Sequence, residues 1–343
     1  MLKKILSTAL AATTLALFTA GCDSRPPHNA SEYLSQKDKE VAEEVISKYF
    51  QVANVGSDTF TARDDVLSDD TAVVTVLSEV YGLEKTLDYY FKLRKQGDNT
   101  FTARDDVNSD HCGALLIPAL QYGYEETLGI YFALKSSNII SDKHVPALVS
   151  TAMKYGVVET ETAYRMLKSK DVSHDDLAIL TKPAIEQGIE ETLQTYKNIK
   201  RSKEDIPSKH KGILTKLAMK HGLEKTLTTY KDIKDYGNDT FSNKDDITSD
   251  HHGIMTSVAL EFGLEKALGM YDYLRKQGEE TFTARDDVPS KHWPLLAADG
   301  CIKDLEDKTA VQKMIEDQSD DMMMTYFIIF MIVVPMMMNS SSN

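Results

Sequence analysis

Seven polar residues recur at one place in a repeating pattern: Asp70, His111, His144, Asp176, His210, His251 and His292. Each ends a short stretch that begins on a β-branched hydrophobic residue and contains serine, as in Val107-Asn-Ser-Asp-His111 and Ile247-Thr-Ser-Asp-His251. Imidazoles and carboxylates in a column are the side chains of metal sites and of proton-sensing ridges. A hydrophobic residue, then serine and an acid ahead of an apolar stripe is equally the signature of a helix start. Neighbouring helical hairpins lie ~10 Å apart, too far for one metal to bridge two members of the column unaided. The column is therefore expected to consist of polar first-turn residues, with no metal ligand and no cofactor assigned. Asp246, Thr248 and Asp250 have the 1, 3, 5 spacing of a calcium loop, but His251 and Ser257 stand where glycine and glutamate are needed. The chain has no G-x-S-x-G, H-E-x-x-H, C-x-x-C, phosphate loop or G-x-G-x-x-G. No enzymatic activity is expected.

A second set of candidates lies in four inserts of about eight residues: Gly56 to Arg63, Gly97 to Arg104, Gly237 to Lys244 and Gly278 to Arg285. Three are followed through as Thr-Phe-Thr-Ala-Arg-Asp-Asp-Val without a change. Aromatic and arginine side chains dominate binding hot spots. Phe60 with Arg63, Phe101 with Arg104, Phe241 with Lys244 and Phe282 with Arg285 are thus candidate partner-binding residues. The alternative is that the phenylalanines tuck under their loops as spacers.

These residues are carried by a repeat. Gly82 to Val107 returns at Gly263 to Val288 with 19 of 26 positions identical. Anchoring on the glycine gives six copies, at Gly82, Gly123, Gly156, Gly188, Gly222 and Gly263, separated by 41, 33, 32, 34 and 41 residues. Eight residues past every glycine is a tyrosine: Tyr90, Tyr131, Tyr164, Tyr196, Tyr230 or Tyr271. Apolar residues at offsets 5, 8 and 11 mark one helix face, and residues four and eight before the glycine mark another. Each unit reads as a first helix, a left-handed glycine cap, and a second helix with an acid in its first turn. One such hairpin cannot bury both stripes alone, so the units must stack. The expected fold is an all-α solenoid of about six to seven helix-turn-helix repeats over residues 64–318.

The pattern Ala-x3-Gly-x-Glu-x-Thr-Leu-x2-Tyr-x2-Leu resembles tetratricopeptide and pentatricopeptide hairpins. Glu265-Lys-Ala-Leu-Gly-Met-Tyr-Asp-Tyr-Leu-Arg-Lys-Gln-Gly278 followed by Asp287-Val288 is especially similar to the second helix and turn of a pentatricopeptide unit. The tryptophan and terminal proline usual in tetratricopeptide units are missing. What the resemblance implies is the fold; it does not carry a ligand.

The ends of the chain supply an address. Lys3 and Lys4, the apolar run Ile5 to Phe18 and Thr19-Ala20-Gly21-Cys22 form a secretory signal over residues 1–21. The small residues before Cys22 resemble the lipobox of bacterial lipoproteins, which implies lipidation at Cys22, with a threonine where that family prefers leucine. By the same resemblance Asp23 implies retention at the inner membrane, facing the periplasm of a bacterial envelope. Without residues 1–21 the chain has 37 basic and 53 acidic residues, a charge of −16, which opposes nucleic-acid binding. Residues 22–35 read as a polar tether, and residues 36–63 as a lone second-type helix capping the array, with its insert. Met322 to Met338 is seventeen residues without a charge, short for a membrane span of about 20, and is expected to cross the membrane or to pack on the end of the array; residues 339–343 are a polar tail. Cys112 and Cys301 lie in the second and last units and are expected not to pair. The expected function is a membrane-anchored scaffold for protein or peptide partners. The alternatives are an RNA-binding pentatricopeptide-like protein and a copper- or zinc-handling envelope lipoprotein.

Overall fold

The computed structural model describes residues 30–55, 65–96, 107–236, 247–279 and 288–303. They hold fourteen α-helices and no strand. In chain order these are α1 (Gln36–Ala53), α2 (Thr71–Tyr81), α3 (Leu83–Arg94), α4 (Cys112–Tyr122), α5 (Tyr124–Lys135), α6 (Val145–Tyr155), α7 (Val157–Lys168), α8 (Leu177–Glu186), α9 (Ile189–Lys200), α10 (Ser208–His221), α11 (Leu223–Asp235), α12 (His252–Phe262), α13 (Leu264–Glu279) and α14 (Trp293–Lys303).

Each of the six anchoring glycines joins a first helix to a second. Their φ values run from 86° to 104°, as the sequence requires of glycine. Their ψ values, near 143–153°, place them in an extended region open essentially to glycine alone, and not in the left-handed helical cap expected. The reason is visible at Gly82, which ends one helix and starts the next within one residue. Its N–H donates to Ser78 O at 3.1 Å, and its carbonyl accepts from Thr86 N at 3.1 Å. The threonine hydroxyl adds a bond to the same carbonyl at 2.8 Å, and Thr127, Thr160, Thr192 and Thr226 repeat it at 2.7–2.9 Å. The small residue four past the glycine thus completes the turn as well as letting two helices approach.

First helices are buried on nearly every side, whereas second helices keep one exposed face. Each first helix packs on its own second helix, on the preceding second helix and on the next first helix. That succession continues past the end of the array: α14 packs against α1 and α2 as well as α12 and α13. The first described α-helix is therefore not a cap at a free end. It lies against α14 as a second helix does against its first, and the circuit of helix contacts closes. Tyr49 in α1 marks the equivalence, since its hydroxyl bonds His292 Nδ1 at 2.7 Å across 243 residues.

Residues 30–35, expected to be the last part of a polar tether, are packed as well. Ala30–Tyr33 form a 3-10 turn on α13, with Ser31 N donating to buried Asp272 at 3.2 Å and Ala30 N to the Tyr236 hydroxyl at 3.2 Å. Ser35 and Asp38 then form a reciprocal capping box that starts α1. Cys112 and Cys301 are buried and form no disulfide. No helix among the described residues is long and apolar enough to cross a membrane.

Candidate functional site

The column of acids and histidines is buried, and every member meets the tyrosine of its own hairpin. Tyr90 and Tyr196 donate to Asp70 and Asp176, each at 2.8 Å. The tyrosine hydroxyls of the other hairpins bond Nδ1 of His111, His144, His210, His251 and His292 at 2.7–3.0 Å. The hydroxyl is also tied to the backbone of the helix start, accepting from Leu67 N at 3.0 Å and from Ser173 N at 3.2 Å. The serine-rich stretch marks the helix starts as expected, but by a different route. In four hairpins it forms 3-10 turns closed by backbone bonds such as His111 N to Asn108 O at 2.8 Å, and the column residue of these turns stands directly before the helix, as His111 does with φ −93° and ψ −14°. Its side chain turns inward to the tyrosine instead of capping the helix.

Burial decides the charge of these groups. It pushes His144, His210 and His292 down to about 3, and His111 and His251 to about 4, so all are neutral at pH 7. The same effect raises Asp70 to about 7 and Asp176 to about 6, against the tyrosine bond that favours the ionised form. Asp176 has a second donor, Gly212 N of the next hairpin at 2.9 Å. A side chain on Gly212 would begin 2.5 Å from that same carboxylate oxygen. Where the next hairpin offers Pro146 or Pro294 at this position, no N–H exists to give, and the column residue is His111 or His251.

Beside the column, ion pairs link one hairpin to the next. Lys143 meets Asp175 at 2.6 Å, and Lys209 meets Asp250. Lys291 meets Asp69 in the same way across the closing junction. At the opposite end of the first helices, Lys220 and His221 both reach Glu261 at 2.8 Å, and Lys48 and Lys303 reach Glu79 at 2.7 and 3.0 Å. Lys216 is buried near Lys182 and Glu186, and burial draws its amine down to about 7.

One junction differs from the rest. Between α6 and α8, one ring nitrogen each of His144 and His174 and a carboxylate oxygen of Asp175 lie within 4.8 Å of one another. The two imidazole rings are 4.6 Å apart and inclined by 35°. Sequence spacing missed this cluster because it pairs one column member with a residue two positions ahead of the next member. The histidine at 174, where five other units carry serine, was the available signal.

The insert residues Phe60, Arg63, Phe101, Arg104, Phe241, Lys244, Phe282 and Arg285 lie outside the described residues, as do Cys22 and residues 322–338. No protein-family model, curated protein or solved structure matches the chain.

Proposed function

We propose that the chain is a non-enzymatic envelope scaffold: seven helical hairpins closed by the N-terminal helix, held at a membrane through Cys22, and binding protein or peptide partners. The observation that carries this reading is the repeated column. Its carboxylates and imidazoles, the groups with which a catalytic centre would be built, are buried and engaged by the tyrosines. That leaves the solvent-facing second helices as a surface for recognition, with the Thr-Phe-Thr-Ala-Arg inserts as candidate contacts on the strength of their sequence. A mature charge of −16 favours partners other than nucleic acid. Binding would be by display, with the anchor raising local concentration.

The test combines intact mass, fractionation and capture. The mature chain should begin at a lipid-bearing Cys22 and sediment with membranes, and Cys22→Ala should release it. Captured partners should be lost from a Phe101→Ala/Phe282→Ala variant that keeps its helical content. A soluble chain retaining residues 1–21 would overturn the address, and undiminished capture by the double variant would overturn the loops as contacts.

A further inference from the structure

The junction between the third hairpin (α6 and α7) and the fourth (α8 and α9) has the makings of a metal site. Among the seven units only this one has a histidine two residues ahead of the column residue; the others carry Ser68, Ser109, Asp142, Ser208, Ser249 and Ser290. His174 is thereby set against His144 of the preceding hairpin, with Asp175 beside both. His144 is 3% exposed and its ring is held by the Tyr164 hydroxyl on Nδ1 at 2.7 Å. A hydrogen bond on the far nitrogen is how metal-binding histidines are usually oriented, and it leaves Nε2 to ligate. His174 and Asp175 have about half of their side-chain surface exposed, so an ion can arrive from water.

We infer that His144, His174 and Asp175 form a binding site for one divalent cation of the zinc class. Two imidazoles and a carboxylate suit zinc and leave the fourth tetrahedral position to water. Ligand atoms around tetrahedral zinc stand ~3.4 Å apart at bonds of about 2.1 Å, so from separations of up to 4.8 Å the trio closes by at most about 1.4 Å. The exposed His174 and Asp175 side chains supply that movement while His144 stays fixed. Without metal the Asp175 carboxylate pairs with Lys143 at 2.6 Å. Both partners are substantially exposed, so the pair is weak and the cation competes with it.

The probe is Zn²⁺ alone, titrated calorimetrically into the full-length chain at pH 7.5 with excess Mg²⁺ present. One Zn²⁺ per chain is expected. His174→Ser should weaken binding at least about tenfold, as loss of a ligand must cost no less than loss of an outer-shell partner. Because serine stands at this position in five other units, that variant should keep the wild-type ellipticity and melting temperature in the absence of metal. Lys143→Gln frees Asp175 and should tighten binding by about two- to fivefold, the worth of an exposed ion pair. Co²⁺ in place of Zn²⁺ should give the visible absorption of a four-coordinate ion, absent in His174→Ser. Failure of the wild-type chain to bind Zn²⁺, or unchanged affinity and stoichiometry in His174→Ser, overturns the site; weaker binding by Lys143→Gln removes Asp175 from it.

Discussion

At the residue scale, the tyrosine of each second helix is the pivot on which a hairpin is set. Its hydroxyl reaches the start of the first helix, where it bonds a buried acid or imidazole and, in hairpins such as those of Tyr90 and Tyr196, also accepts a backbone N–H. A buried polar pair of this kind fixes geometry because either member left alone would be unsatisfied, at a cost of about 1–3 kcal/mol. The glycines separate two roles in the same way. Gly212 lies against the Asp176 carboxylate, so Gly212→Ala must push that group off both of its donors and is expected to cost about 1–3 kcal/mol as an overpacking change. Gly129 is exposed within α5 with nothing near its absent side chain. Gly129→Ala should therefore gain roughly 0.5–1 kcal/mol from helix propensity alone. Urea denaturation of the two variants should move the midpoint in opposite directions.

At the element scale, the closing hairpin is the least well satisfied part of the helix array. His292 Nε2, Trp293 Nε1 and both oxygens of Asp299 are buried there without a hydrogen-bond partner. Burial, with Glu79 of α2 adding repulsion, raises Asp299 to about 7, against Lys303 of α14 and Lys48 of α1. The unfolded chain releases this proton near pH 3.8 and the folded chain only near 7. Its contribution to stability is thus present at low pH and is lost as pH rises between those values. Asp299→Asn should be more stable than wild type at pH 8 by about 1–3 kcal/mol, and the difference should shrink toward pH 4; an unchanged difference would show that the carboxyl is not titrating in the fold.

The hairpins themselves were legible in the sequence because Gly-x-Glu and the tyrosine eight residues on recur at helical spacing. Residues 36–63 read in the sequence as a lone second-type helix with its insert, and α1 occupies Gln36–Ala53, yet its partner was not foreseen. Tyr49-Phe50-Gln51-Val52 matches Tyr90-Phe91-Lys92-Leu93 and Tyr131-Phe132-Ala133-Leu134, and that match was the sign of a second helix lacking a first. Periodicity reports what a helix buries but not which distant element buries it. The zinc-class cluster escaped for a related reason, since it depends on an offset between neighbours that no spacing along one unit contains.

At the scale of the whole molecule, closure removes the two exposed ends that an open array must cover. It also makes the closing contacts part of every unfolding route. Trp293, the sole tryptophan, opens α14 and stacks edgewise on Tyr271 and His251 of the sixth hairpin at 6.1 and 6.5 Å, so its fluorescence reports whether α14, one side of the seam, is held in place. In urea, that signal and the far-ultraviolet ellipticity are expected to follow one coincident transition. Removal of residues 1–54 should separate them, with the tryptophan signal changing first. A tryptophan transition that precedes loss of helix in the intact chain would mean that the seam opens on its own.

The division of the closing hairpin between the first and the last of the described helices also has a consequence in time. A ribosome makes α1 before the other described helices and its partner α14 after them, so α1 must wait, apolar face uncovered, while the twelve described helices between them are synthesised. The six continuous hairpins have local partners and can pair as they emerge, whereas the seventh closes a loop spanning almost the whole described chain. The slowest step of folding should be this final meeting, and the interval before it is when the nascent chain most needs a chaperone or a second copy's unpaired helix kept away.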